Sequence, residues 1–133
     1  MKKRGRPVIY KTLDDKNIRK LQLSKSDLKN TSFDVFKGWF LFQNSCCIYC
    51  GLTNLESIKL SEQFPKSTRS GKRGFSLELD RKDSNITNYS ILENLCLACY
   101  WCNNAKTNYF SFEEFKIIGN AIKQIQKHRL LKL

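Results

Sequence analysis

The stretch Asn94-Leu95-Cys96-Leu97-Ala98-Cys99-Tyr100-Trp101-Cys102-Asn103-Asn104-Ala105-Lys106 decides the fold of this chain. Cys99 and Cys102 form a Cys-x-x-Cys knuckle, and a second knuckle stands upstream at Cys47-Ile48-Tyr49-Cys50. Two knuckles supply four soft thiolates, the number that a closed tetrahedral structural zinc site takes. The quartet is therefore Cys47, Cys50, Cys99 and Cys102, and a four-thiolate shell leaves no position for a reactive water. The other two cysteines complicate the assignment. Cys46 can replace Cys47 only with a wider spacing, and Cys96 extends a three-residue ladder with Cys99 and Cys102. Both are expected to be small packing residues.

Working outward, Leu77-Glu78-Leu79-Asp80-Arg81 alternates apolar and polar residues, as a half-buried strand does. Glu78 and Asp80 then share one side, with Leu77, Leu79 and Arg81 on the other. Asp83 to Asn88 is a polar turn, and Asn94 to Ala98 is expected to form a second short strand. A helix starts near the second knuckle and carries Asn103 and Lys106. Ser111-Phe112-Glu113-Glu114 is a capping box, opening a terminal helix over 111–128 with Phe112, Phe115, Ile118, Ile122 and Ile125 on one face. His128 is the only histidine and has no ligand-like neighbour at suitable spacing.

Upstream, Leu13, Ile18, Leu21 and Leu28 have loosely helical spacing. Ser32 caps a helix running to about Phe42, whose Val35, Phe36, Trp39, Phe40 and Phe42 are expected in the core. From Leu52 to Phe75 the sequence reads as irregular, with Pro65, Gly71 and Gly74 as breakers. Lys66, Arg69, Lys72 and Arg73 make the end of this segment a basic loop.

The bulk numbers agree with a small globular protein. The chain has 133 residues and 41% apolar residues, enough for one domain with a modest core. Residues 1–10 read as a basic arm and residues 11–133 as a single domain with its metal-binding core at 47–108. Lys and Arg total 24 against 12 Asp and Glu, a net charge of +12. That surplus points to a polyanion, nucleic acid first. Lys3-Arg4-Gly5-Arg6-Pro7 resembles the core of an AT-hook, in which Arg4 and Arg6 would lie in an A·T-rich minor groove. No apolar run approaches a membrane span, and the start lacks the apolar stretch of a signal peptide. The chain is expected to be cytoplasmic, where six cysteines favour metal over disulfides.

Residues 47 to 106 resemble the HNH endonucleases, the ββα-metal or His-Me finger family. The elements that carry the resemblance are the first knuckle, Asp80-Arg81 on a strand, Asn94 in the loop, and the second knuckle running into Asn103 and Lys106. The layout from the helix near Phe33 to the one ending near Gln126 is similar to that of a rare-cutting type II restriction enzyme. The resemblance implies an α+β fold, structural Zn²⁺, and a catalytic divalent cation such as Mg²⁺ held by Asp80 and Asn103. Both would be oxygen ligands of the kind a hard cation prefers. Asn94 would brace the loop. The family places histidine as general base after the aspartate, where this chain has Arg81. Arginine stays protonated, so it would hold the attacked phosphate instead. Tyr49, fixed in the first knuckle, is then the candidate to activate or position water, and Glu78 a hydrogen-bonded support. Lys72, Arg73, Lys82 and Lys106 would meet phosphates. The implied activity is metal-dependent cleavage of duplex DNA, site-specific, by a homodimer with one copy per strand. Two competing readings are a catalytically inactive zinc-containing DNA-binding module and a structural zinc protein that binds a protein partner.

Overall fold

Strand β1 (Glu78–Arg81) and strand β2 (Leu95–Ala98) pair antiparallel in the computed structural model, which describes residues 13–64 and 76–133. The register sets Leu79 opposite Leu97 and Asp80 opposite Cys96. Every residue of β2 is buried, because the hairpin is covered on both faces. The first knuckle extends the sheet: Ile48 donates its backbone N–H to Leu97 O at 2.9 Å, and the turn closes through Cys47 N to Leu52 O at 2.8 Å. Gly51 ends that turn at φ +80°, in the left-handed region that glycine enters without steric cost.

Helix α1 (Asp15–Leu23) starts at Asp14, whose carboxylate accepts from Asn17 N, and buries Ile18, Leu21 and Gln22. Gln22 ties the helix to the next segment by donating to Leu28 O at 3.1 Å and Thr31 O at 2.7 Å. Helix α2 (Phe33–Leu41) is capped by Ser32, as expected. Its apolar residues divide, however. Phe36 and Phe40, one turn apart, are in the core and Trp39 packs beside Phe36, while Val35 and Phe42 project into solvent, Phe42 at 87% exposure. The cause is angular: a helix this short has one buried stripe, and Val35 and Phe42 lie off it.

The expectation of irregular chain after Leu52 is corrected for residues 54–63, which form helix α3 (Asn54–Gln63). A reciprocal capping box starts it: Glu56 N donates to Thr53 Oγ1 at 3.2 Å and Thr53 N to Glu56 Oε1 at 3.0 Å. Its buried face includes Asn54, Ser57 and Ser61 beside Ile58 and Leu60, so apolar periodicity did not mark it. Asn54 Oδ1 accepts from Leu77 N at 3.0 Å, joining this helix to the approach to β1.

Helix α4 (Tyr100–Lys106) follows β2 directly, with Cys99 as its N-cap. Helix α5 (Phe112–Leu130) begins at the Ser111/Glu114 capping box and runs past residue 128. Its buried stripe is Phe115, Gly119 and Gln126, with Ile118 and Ile122 half-buried. Ile125, expected on that face, is exposed. One apolar core joins α1, α2, both strands, both knuckles and α5. Full burial of each large side chain, such as Phe36, Phe40 or Phe115, contributes about 1.5–3 kcal/mol. No helix among the described residues is long and apolar enough to cross a membrane.

Candidate active site and metal centre

The hairpin and α4 bring the two knuckles together. The sulfur atoms of Cys47, Cys50, Cys99 and Cys102 all lie within 4.8 Å of one another, and all four residues are buried. Cys50 and Cys99 Sγ are 3.6 Å apart. Metal–sulfur bonds of about 2.3 Å make a tetrahedron with edges of roughly 3.8 Å, so the quartet fits a zinc-sized ion. None of the six cysteines is in a disulfide. Sulfur hydrogen bonds from Cys102, Cys50 and Cys99 hold the Cys47 thiol far below its ordinary value. The same crowding by Cys47, Cys50 and Cys99 pushes Cys102 far above it. Four thiols packed this closely cannot all ionise without a cation at their centre. Cys46 and Cys96 lie outside the quartet.

Asp80 is the hub of a second cluster. It is only 8% exposed, and its Oδ2 accepts from Tyr49 OH at 2.7 Å and faces Lys106 Nζ at 3.5 Å. Cys96 packs against the same carboxylate at 3.9 Å. Oδ1 accepts no hydrogen bond among the described residues, which leaves one carboxylate oxygen that could hold a cation. Tyr49 reaches Asp80 because the knuckle turn pairs with β2, and its ring packs edge-on to Phe115 at 5.0 Å. Burial first, and then Cys96 and Asp80, push its phenol well above its usual value. The Cys96 thiol is pushed up to about 12, by burial and then by Asp80.

Asn103 lies on α4 against β1, its Nδ2 donating to Glu78 Oε1 at 2.8 Å. Asn94 sits in a 3₁₀ turn before β2 and closes the intervening loop: Oδ1 accepts from Asp83 N at 2.9 Å and Nδ2 donates to Asp83 O at 3.1 Å. Its backbone carbonyl accepts from Lys82 N at 2.7 Å. Asp80, Arg81 and the polar turn are thereby fixed relative to β2. Arg81 stacks its guanidinium over the Tyr89 ring at 5.1 Å, with Lys25 over the same ring at 4.6 Å. The sequence offered no signal for Tyr89, since its role comes from a loop that folds back onto residues 25–27 through Tyr89 N to Asp27 Oδ2.

Lys106 requires a correction. It was expected to meet phosphate, but it is 1% exposed, donating to Arg81 O at 2.8 Å beside Asp80. A buried ammonium must be paired, and here it locks α4 to β1. Lys82 remains partly exposed, over the Phe112 ring at 5.4 Å. Arg4, Arg6, Lys72 and Arg73, with the N-terminal arm to residue 10, lie outside the described residues. His128 is exposed on α5 and is not in the metal-type cluster.

No protein-family model matches the sequence, and no curated protein matches it. Among solved structures, the rare-cutting HNH restriction endonuclease PacI, reported for its mechanism of DNA perturbation, is similar with a TM-score of 0.66 and 26% identity. The match covers 90% of this chain and 83% of that one. The mixed fold of helices around a small antiparallel sheet, with its four-cysteine cluster, is similar to the PacI fold and relates this chain to the HNH nucleases.

Proposed function

We propose that this chain is a metal-dependent endonuclease that hydrolyses phosphodiester bonds in duplex DNA at a specific site. The observation that carries the proposal is the state of Asp80: one oxygen is held by Tyr49 and Lys106, the other has no hydrogen bond among the described residues, and the Glu78–Asn103 pair stands beside it on β1 and α4. Asp80 is 8% exposed and its second oxygen is not a buried orphan, so that oxygen reaches the surface, where a hydrated cation can meet it.

Zn²⁺ would be held by Cys47, Cys50, Cys99 and Cys102. The catalytic cation, Mg²⁺ or similar, would be held by Asp80 Oδ1 and the Asn103 carbonyl oxygen. When bound there, it supplies Lewis-acid polarisation of the phosphate and stabilises the leaving oxygen. Tyr49 orients Asp80 and keeps acceptor capacity on its oxygen for a water. Arg81, stacked on Tyr89, holds a phosphate oxygen and offsets charge in the transition state. Lys106 positions Asp80 and the Arg81 backbone from inside. Asn94 fixes the loop. Lys82, with Lys72, Arg73 and the arm bearing Arg4 and Arg6, supplies phosphate and A·T-rich groove contacts. Two copies, one per strand, would match a two-fold symmetric site.

Arg81 at the position of the family's histidine base favours one alternative, a catalytically inactive zinc-containing DNA-binding module. Incubation with a large, sequence-diverse duplex DNA, with Mg²⁺ and with EDTA, separates the two. Discrete Mg²⁺-dependent fragments are expected, and their mapped ends give the site. A smear would mean a nonspecific nuclease. A gel shift without cleavage would establish the inactive module.

A further inference from the structure

Helix α4 and strand β1 meet rung by rung. Asn103 and Lys106 share one face of α4, a turn apart, and Glu78 and Asp80 share one face of β1. Asn103 pairs with Glu78 at 2.8 Å, while Lys106 reaches Asp80 at 3.5 Å and Arg81 O at 2.8 Å. These contacts decide which end of the Asn103 amide is available. A side-chain amide has nearly the same shape when turned over, so its neighbours decide its orientation. An ionised carboxylate only accepts, so Glu78 can hold only the nitrogen end. The carbonyl oxygen is then the end turned away from Glu78, and it accepts no hydrogen bond among the described residues.

We propose that Glu78 is a positioning residue that locks the Asn103 amide so that Oδ1, not the NH₂ group, is offered to the divalent cation shared with Asp80. The inference rests on the nuclease reading above. The amide nitrogen has no lone pair available to a cation, and its hydrogens carry positive partial charge. A turned amide would therefore replace a ligand by a repulsive group. The charge-assisted bond to Glu78 is the strong kind of hydrogen bond, suited to holding one orientation. Glu78 thus acts through Asn103 without needing to touch cation or substrate, as outer partners of metal ligands commonly do.

The test is a double-mutant cycle on the zinc-loaded protein: wild type, Glu78→Gln, Asn103→Asp, and the pair together. The glutamine of Glu78→Gln presents either a donor or an acceptor, so the Asn103 amide is free to turn. Asn103→Asp alone sets two carboxylates against each other. In the double variant, the introduced glutamine donates to one oxygen of the introduced aspartate, and the other oxygen is left for the cation. Mn²⁺ binding is read by electron paramagnetic resonance without DNA, alongside cleavage and melting temperature. Each single variant is expected to bind Mn²⁺ about tenfold or more weakly, and the double variant to recover most of that loss with little change in melting temperature. Because Glu78→Gln is present in both a single and the double variant, loss of its charge elsewhere cannot explain the recovery. Equal Mn²⁺ affinity in wild type and Glu78→Gln would overturn the inference, and so would a double variant no tighter than the singles. Wild-type protein that binds Mn²⁺ but never cleaves DNA overturns the nuclease reading instead, and the cycle still decides the role of Glu78. Wild-type protein that binds no Mn²⁺ overturns both.

Discussion

Gly119 of α5 lies against the backbone of Tyr49: a Cβ on Gly119 would stand 2.6 Å from the Tyr49 carbonyl oxygen and 2.9 Å from its carbonyl carbon. The terminal helix thus seats directly on the first knuckle, and only glycine permits the approach. Gly119→Ala is expected to lower stability by about 1–3 kcal/mol through overpacking, despite the better helix propensity of alanine. Gly38 in α2 is the control, since an added Cβ there meets nothing within 4 Å. Gly38→Ala is expected to raise stability by about 0.5–1 kcal/mol. Urea melts of both variants check this, and a Gly119→Ala protein as stable as wild type would mean that α5 does not rest on the knuckle.

Asp80→Ala is expected to abolish cleavage while DNA binding persists in gel shifts. Tyr49→Phe keeps the ring on Phe115 but removes the 2.7 Å bond to Asp80. Cleavage is expected to fall by about 10–100-fold, because Asp80 loses the partner that orients it. Cleavage by Tyr49→Phe at the wild-type rate would reduce Tyr49 to packing, and cleavage by Asp80→Ala would sink the ligand assignment.

Two lysines separate interior from interface. Lys106→Met leaves Asp80 without its buried cation and Arg81 O without its donor, and should cost about 3–5 kcal/mol. Lys82→Ala should leave stability nearly unchanged and reduce the salt slope of DNA binding by about 1. If instead Lys106→Met melts like wild type and loses DNA affinity, Lys106 is a phosphate contact after all.

Metal removal should unfold the knuckle region, because a structural site contributes directly to folding. Zinc affinity is expected to fall as pH falls, because Cys102, held above its ordinary value in the metal-free quartet, must lose its proton to bind. Cys47→Ser or Cys99→Ser should lose zinc, while Cys46→Ser should retain it. Mass-resolved alkylation of the zinc-loaded protein should modify Cys46 first because it is partly exposed, although partial burial and then Cys47, Cys50 and Glu56 raise its thiol above the ordinary value. Cys96, buried and pushed up to about 12, should stay protected until unfolding. Early labelling of Cys96 would show that the Asp80 cluster is open.

Local signals were legible. The hairpin, the Ser32 and Ser111 caps and the helix after the second knuckle lie where alternation and capping chemistry predict them. Helix α3 escaped because three of its buried positions are Asn54, Ser57 and Ser61, which erase the apolar stripe while Thr53 and Glu56 still start the helix. The side of α2 or α5 that faces the core was legible only in part, since Phe36 and Phe115 are inside while Phe42 and Ile125, equally apolar, are not.

The sequence by itself determined the chemistry on offer: two pairs of thiols at ligand spacing, Asp80 on a strand, and Asn103 at the head of a helix. Each is encoded within a stretch of a few residues, so local pattern and spacing reveal it. Only the tertiary structure decided which atoms are already spoken for. Tyr49 and Lys106 take one oxygen of Asp80, Glu78 takes the nitrogen of Asn103, and the lysine that the family resemblance assigns to a phosphate is buried instead. Each of these depends on partners at least 25 residues away in sequence. Satisfying a buried charge is a property of the packed interior, where water no longer competes and an ion without a partner is costly.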